Sequence, residues 1–375
     1  MNAPLAGIRI VEVGHMLAGP YCGLMLADMG AEVIKIETPE GDIGRSVSPH
    51  FVGPHNAYFA SLNRNKKSVV LDLAGDEGRA ALGRIVETSH ALVTNLRPAA
   101  IRKLGLTYDA LRHWNSRLVC VALTGYGLDG PYADNPAYDY VIQAMTGVMA
   151  LTGDPDAPPT KAGYSAVDNS AGLVAALGLL AKIVQGQGGQ VDVAMYDVML
   201  SQLNYLAGAA LNAGETIERL ADSSHPYVVP AQIFATADGW LTLFITHDKF
   251  WRTFCREIGH AEWIEDPKFA TMAGRRAHRA EVIAAIAQVL RQAPASAWVR
   301  SLSPLGVVVA EVGTLNAALR SDIAAARGLV VALGDGSLPL QAVASPIRFQ
   351  GYSPAYGLPP QLDEHGDEVL GRVRT

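Results

Sequence analysis

Ile8-Arg-Ile-Val-Glu-Val13, Gly14-His-Met-Leu-Ala-Gly-Pro20 and Glu32-Val-Ile-Lys-Ile36 follow one another near the start of the chain. Together they read as strand, turn and helix, then strand again. β-Branched runs favour extended backbone, and the apolar stretch between them has the length of a crossover helix. Further β-branched runs follow at Ser68-Val-Val-Leu-Asp-Leu73, Ala91-Leu-Val-Thr94 and Leu118-Val-Cys-Val-Ala-Leu123. Amphipathic segments such as residues 76–89 lie between them, and this alternation predicts a parallel sheet covered by helices. In such a sheet ligands bind at the carboxyl edge, where the turn His15-Met-Leu17 would lie.

From Tyr138 to about Gly214 the pattern is mostly helical, with one possible strand at residues 190–195. Glu215 to Ser224 reads as a boundary. Beyond it, residues 232–245 suggest two strands around Asp238-Gly239, followed by helices to about Leu302. The expected division is a large domain over residues 1–220, a smaller α+β domain over 221–325, and a C-terminal segment, 326–375, that returns to the large domain.

With 375 residues, 49% hydrophobic and 18% charged, the chain can bury an ample core. Its net charge of −6 gives no general attraction to nucleic acid or to anionic lipid. Cys22, Cys120 and Cys255 form no CxxC pair, so neither a disulfide framework nor a metal site is expected. The opening residues Met1 to Val13 lack a signal-peptide pattern, and a reducing, cytoplasmic setting follows. The uncharged run Val198 to Gly214 comes nearest to a membrane span, but Gln202, two Asn and two Gly make a buried helix the better reading.

Tyr164-Ser-Ala-Val-Asp-Asn-Ser-Ala-Gly172 places Asp168 at the start of a long uncharged helix. A carboxylate there is ordinarily an N-cap; a half-buried one is also a candidate nucleophile. Gly125-Tyr-Gly-Leu-Asp-Gly130 matches GxGxxG after a strand, but Pro131 and a polar loop follow where a dinucleotide site needs a helix. The basic run Arg64, Lys66 and Lys67 is either a solvated edge or a phosphate site. Asn95-Leu-Arg-Pro98, with Arg102 and Lys103, follows the fourth strand at the ligand edge. Tyr138-Asp139 can open another helix.

The chain resembles the class III CoA transferases, the family of formyl-CoA transferase and carnitine CoA-transferase, over nearly its whole length. The residues that carry this are Leu26 to Glu37 with Gly41-Asp42 and Arg45, Asn63-Arg64 with Lys66 to Leu73, Asn95 to Pro98, and Lys103 to Leu106. They continue through Gly125 to Pro131, Tyr138-Asp139, Gln143 to Gly147, Asp168 and Gly188 to Asp192. The resemblance implies a Rossmann-like large domain with a sheet built from both chain ends, a small central domain, and a homodimer of interlocked chains.

It also implies that Asp168 is the catalytic carboxylate, exchanging coenzyme A through a mixed anhydride and an aspartyl thioester. Acyl-CoA enters as co-substrate, and no permanently bound cofactor or metal is required. Such a cycle needs an ionised carboxylate, which a helix N-terminus favours. CoA contacts are expected at His15, Leu17, Ala18, Leu71, Asn95, Leu96, Arg97, Lys103, Tyr138 and Asp139. Thr38 and Ala74 stand where formyl-CoA transferase has arginine and lysine, so Arg97, Lys66 or Lys67 would take over the nucleotide charges. The segment from His225 to Gly239 resembles succinyl-CoA-dependent members that serve small dicarboxylates such as mesaconate, itaconate, citramalate or malate. Arg45 or Arg64 would face the second carboxylate, and Ser224 and His225 mark the oxyanion loop. Within the same fold, α-methylacyl-CoA racemases carry histidine where this chain has Tyr138, and that favours the transferase. A catalytically silent CoA-binding protein is the remaining alternative.

Overall fold

The computed structural model describes residues 2–373. Contacts divide it into two units, one comprising Met1–Thr146, Ala162–Gly214 and Ser321–Thr375, the other Gly147–Lys161 and Glu215–Arg320.

The first unit is built on six parallel strands: β1 (Arg9–Val13), β2 (Glu32–Glu37), β3 (Lys66–Val70), β4 (Ala91–Thr94), β5 (Val119–Thr124) and β6 (Gly189–Ala194). Their order across the sheet is β3-β2-β1-β4-β5-β6. The order therefore reverses between β1 and β4, which opens a crevice beyond their carboxyl ends. Both sheet faces are covered, and Ile10, Val11, Ile34, Leu92, Val93, Cys120 and Val121 are fully buried. That accounts for continuous apolar strands in place of alternating ones. The possible strand at residues 190–195 is β6, on the edge beside β5.

The C-terminal residues supply no strand to this sheet among the described residues, which corrects the expectation of a sheet built from both chain ends. Val330–Ala332 and Gln341–Val343 pair with each other, because the intervening Gly334-Asp-Gly336 turn closes them into a local hairpin. The following helix, Gly366–Val373, packs on Asp76–Glu87. Its Val369 joins the apolar layer over the sheet.

Helix α1 (Ala18–Asp28) leads from β1 to β2. Helix α2 (Pro98–Leu104) follows β4, and α3 (Asp139–Met145) follows β5 after the Gly125–Gly130 segment. That segment opens a long loop and no helix, as a non-nucleotide reading of its glycines requires. Helix α4 (Ala166–Gln185) buries Ala171, Gly172, Ala175, Ala176 and Leu179, a stripe of mostly small residues that lets it lie close against α1. It is also the one helix among the described residues long and apolar enough to cross a membrane, whereas residues 198–214 were expected to come nearest to that and to form a buried helix. Those residues form no single buried helix. They break at Leu203, and Asn204–Ala213 buries no residue, with Leu211 83% exposed.

In the second unit, Ala231–Ala235 and Trp240–Phe244 form the expected hairpin, and Val308–Glu311 adds a third antiparallel strand. Its core stacks Trp251, Trp263 and Phe269. The fully buried Arg275 lies over Trp251 and donates to the carbonyls of Val229 and Phe269. Gly147–Lys161, expected within the large domain, groups here instead: Arg219 donates to the carbonyls of Thr152 and Pro158, and the Asp222 amide donates to Asp154.

The closeness of α1 and α4 depends on Gly172. A Cβ there would lie 2.7 Å from the Ala18 carbonyl oxygen and 3.2 Å from the Cys22 amide nitrogen, and neither backbone atom can rotate away. Gly172→Val is expected to cost about 1–3 kcal/mol in urea unfolding. Unchanged stability would show that the two helices separate without penalty.

Candidate active site

Two cavities meet at the point where strand order reverses. One, of about 490 Å³, is lined by His15, Leu17 and Ala18 from the end of β1 and the start of α1, and by Asn95, Leu96 and Arg97 from beyond β4. Tyr138 and Asp139 from the start of α3 complete it, together with Tyr58 and Asp168. The other, of about 560 Å³, runs past Thr38 and Leu71 to Ala74. His15, Met16, Leu96 and Tyr138 belong to both walls. Nine expected residues thus converge with Asp168, counting Leu71 in the second cavity. Lys103 lies exposed on α2 and lines neither cavity.

The turn that carries His15 is held from several sides. The His15 amide donates to Asn95 Oδ1 at 3.1 Å, and Asn95 Nδ2 returns a bond of 2.9 Å to the His15 carbonyl. Met16 sits at a φ of 63°, a left-handed conformation that costs a residue with a Cβ roughly 1–2 kcal/mol. Its amide donates to Asp42 Oδ1 at 3.1 Å. Gly14 and Gly19 let Asn95 in, since a Cβ on either would lie under 3 Å from the amide side chain.

Asp168 occupies the third helical position of α4, and Ser165, not Asp168, is the cap residue. Among the described residues its carboxylate accepts no hydrogen bond, so it is free to meet a ligand. Asp139 is engaged instead: Oδ1 accepts the Val167 amide at 2.9 Å, and Oδ2 accepts Gln143 Nε2 at 2.6 Å. Gln143 in turn accepts the Ala162 amide at 2.9 Å, which ties the segment ahead of α4 to α3. A side chain four residues along α3 therefore orients the acid that fixes the first turn of α4.

The expected lowering of the Asp168 pKa does not occur. Burial first, and then the neighbouring Asp139 carboxylate, push Asp168 up to about 7. One free helix N–H near it, that of Val167, is already spent on Asp139. Burial also keeps the His15 imidazole neutral by lowering its pKa. Tyr58, in the same cavity, is pushed up to about 12 by burial and by the charges of Asp168 and Asp42, so its phenol stays a donor.

The basic run has another use than expected. Lys66 is buried, with Nζ bonded to Glu12, the Pro20 carbonyl and Asn63. Lys67 pairs with Glu32 and Glu368. Neither is available to a phosphate. Arg45 forks onto both oxygens of Glu37 and lies 3.9 Å over the Phe59 ring. Arg64 does the same to Asp28 at 2.6 and 3.1 Å and is buried. Both arginines expected to face a second carboxylate are thus committed to carboxylates of the fold. Ser224 and His225 belong to the other unit, where Ser224 donates to Gln232 and His225 Nδ1 accepts from the amides of Tyr227 and Val228.

Sequence reasoning missed Tyr58 and Glu12, and gave no role to Lys35 and Asp42, which lie with Glu12 beneath the His15 turn. A signal for Glu12 and Lys35 was present, since each is a charge inside a strand otherwise made to be buried on both faces. Nothing in the sequence around Tyr58 separates it from the other tyrosines.

A folded Asp168 that keeps its proton to about pH 7 is a liability to stability. The unfolded chain loses that proton near the ordinary value of 3.8, so the penalty builds as pH rises through the interval and persists above it. Asp168→Asn removes the penalty. Its melting temperature is expected to exceed that of the parent at about pH 8, with the gain shrinking toward about pH 5. An equal or lower melting temperature at about pH 8 would show that the carboxylate is ionised at no cost.

The model for CoA-transferase family III matches residues 5–366. The succinate–glutarate CoA-transferase of Agrobacterium fabrum is 35% identical over 99% of this chain and 96% of its own length. The succinyl-CoA–D-citramalate CoA-transferase of Chloroflexus aurantiacus is 33% identical over 98% and 93%. Among solved structures, a CAIB/BAIF family protein from Brucella suis superimposes with a TM-score of 0.87 at 31% identity, each chain covered completely. With its six-stranded parallel sheet and the crevice at the strand reversal, the chain belongs to CoA-transferase family III and is a CoA-transferase.

Proposed function

We propose that the enzyme moves coenzyme A from succinyl-CoA to a small dicarboxylic acid, with Asp168 as the nucleophile. One observation carries this reading: of the two carboxylates at the head of the paired cavities, Asp139 has both oxygens bonded within the fold, whereas Asp168 is open to a ligand. The succinyl-CoA donor and dicarboxylate acceptor are taken from similarity to the glutarate and citramalate enzymes and to the succinyl-CoA:mesaconate CoA-transferase of Haloarcula hispanica, 35% identical over 70% of this chain.

In the proposed cycle an Asp168 oxygen attacks the thioester carbonyl, and the C–S bond breaks to give a mixed anhydride and CoA thiolate. The thiolate attacks the aspartyl carbonyl, releasing succinate with one oxygen that came from Asp168 and leaving an aspartyl thioester. The acceptor carboxylate then attacks that thioester, and the returning thiolate takes the acceptor's acyl carbon, which regenerates Asp168. No proton needs to move at carbon and no general base is called for. Activity should rise with pH through about 7, as the attacking carboxylate ionises.

The CoA chain would follow the apolar second cavity by Leu71 and Leu96. Arg97, the one arginine or lysine lining either cavity among the described residues, would hold a phosphate. The N–H groups of Leu17 and Ala18 at the start of α1 would offer the oxyanion a donor pair in place of Ser224 and His225. We further propose an interlocked homodimer, in keeping with the apolar residues left outside a single chain: Leu177 at 69%, Val184 at 87% and Leu211 at 83% exposure. The setting would be cytoplasmic, with no nucleic-acid or membrane partner.

Intact-mass measurement after incubation with succinyl-CoA tests the nucleophile. A CoA adduct that maps to Asp168, is discharged by hydroxylamine and is absent in Asp168→Ala is the expected result. No adduct, with solvent deuterium appearing instead at the α-carbon of a branched acyl-CoA, would make the enzyme a racemase and overturn the assignment.

A further inference from the structure

Four charged side chains run through the interior beneath the turn after β1. Glu12 receives Lys35 Nζ at 2.9 Å on one oxygen and Lys66 Nζ at 2.7 Å on the other, and Lys35 continues to Asp42 at 2.8 Å. None of the four side chains is more than 1% exposed. Two acids and two bases balance, so the group is neutral as a whole. Charge balance alone explains why it can be buried, but not where it ends.

It ends on the wall between the two cavities. Lys35 Nζ also donates to the Gly14 carbonyl at 2.9 Å, and Asp42 Oδ1 accepts the amides of Met16 at 3.1 Å and Gly44 at 2.8 Å. One ion pair therefore grips the backbone on both sides of His15 and holds Met16 in its left-handed conformation. His15 and Met16 face both cavities. A thioester whose CoA lies in the second cavity must present its carbonyl carbon to Asp168 in the first, across this wall. Misplacing reacting atoms by about an ångström costs on the order of a hundredfold in rate.

We propose that Asp42, fixed by Lys35, is a positioning residue for CoA transfer. It acts through the backbone of His15 and Met16 and sets where the thioester carbonyl stands relative to Asp168. The proposal rests on the reading of Asp168 as nucleophile. Asn95 holds the same turn from the β4 side, so Asp42 supplies a restraint opposed to it.

Asp42→Glu and Asp42→Asn test it. The glutamate keeps a counter-charge for Lys35, which protects folding, but its extra methylene cannot keep the oxygen on the Met16 and Gly44 amides together. Rates are taken per CoA-binding site, counted by isothermal titration with CoA, so that loss of folded protein does not enter. The expected result is a kcat lower by roughly ten- to a hundredfold, an equal slowing of adduct formation at Asp168, and a CoA Kd within about threefold of wild type. Asp42→Glu with unchanged kcat, or a kcat loss matched by an equal loss of CoA affinity, overturns the proposal while leaving Asp168 in place. Wild-type turnover without labelling of Asp168 overturns the nucleophile reading, and this proposal with it.

Discussion

Glu12 and Lys35 face each other across adjacent parallel strands at the centre of the sheet, and neither has any contact with water. Unpaired, either charge would make the sheet untenable, since the desolvation of one buried ion is worth several kcal/mol. Each must therefore be met from within. Lys66 comes from β3 to the far oxygen of Glu12, and Asp42 comes from the loop after β2 to the far side of Lys35. Registering three strands and a loop on one string of charges leaves β1 a single position relative to β2 and β3. The carboxyl end of β1 is where the crevice opens, so the site inherits that register. Burial raises the cost of Lys66 too, lowering its pKa to about 8, yet Glu12 holds it in place.

The crevice shows the opposite economy. Asp139 is satisfied by an amide and a carboxamide, and its charge bears on Asp168, which has no such partners. The result is a carboxyl that ionises near neutrality and is more basic than an ordinary aspartate. As the proposed nucleophile it would be stronger when ionised, with a substantial fraction ionised at physiological pH. The expectation that the helix N-terminus would keep Asp168 acidic overlooked that the nearest amide was taken. What the head of α4 would give to the proposed chemistry is position, through α1 and α3, more than charge.

Much of the large unit was legible because parallel strands buried on both faces read as near-continuous apolar runs, as Ile8–Val13, Glu32–Ile36 and Leu118–Leu123 do apart from Arg9, Glu12, Glu32 and Lys35. The cavity residues were legible in part for the same reason: His15, Asn95 and Tyr138 each follow a strand or open a helix at the ligand edge. Arg64 and Lys66, in a short basic run, and Arg45, a lone cation, misled because a cation looks the same in sequence whether it faces a substrate anion or a buried acid. Asp28 and Glu12 are distant in sequence from Arg64 and Lys66 and meet them only in the fold, whereas Glu37 lies eight residues before Arg45, on the other side of the turn at Asp42. The C-terminal hairpin misled because three-residue strands carry too little pattern to say which sheet they join.

In the proposed cycle the acyl groups pass over the Asp168 carboxyl itself. Oxygen bookkeeping tests it most directly: turnover with succinyl-CoA and an acceptor such as glutarate labelled with oxygen-18 in its carboxylates, followed by mass analysis of the peptide that contains Asp168. The proposed cycle puts one acceptor oxygen into Asp168 for each CoA transferred, so the peptide is expected to gain label with turnover. Sustained transfer of CoA with an unlabelled Asp168 would mean that the acceptor meets the thioester directly and that Asp168 is not the nucleophile.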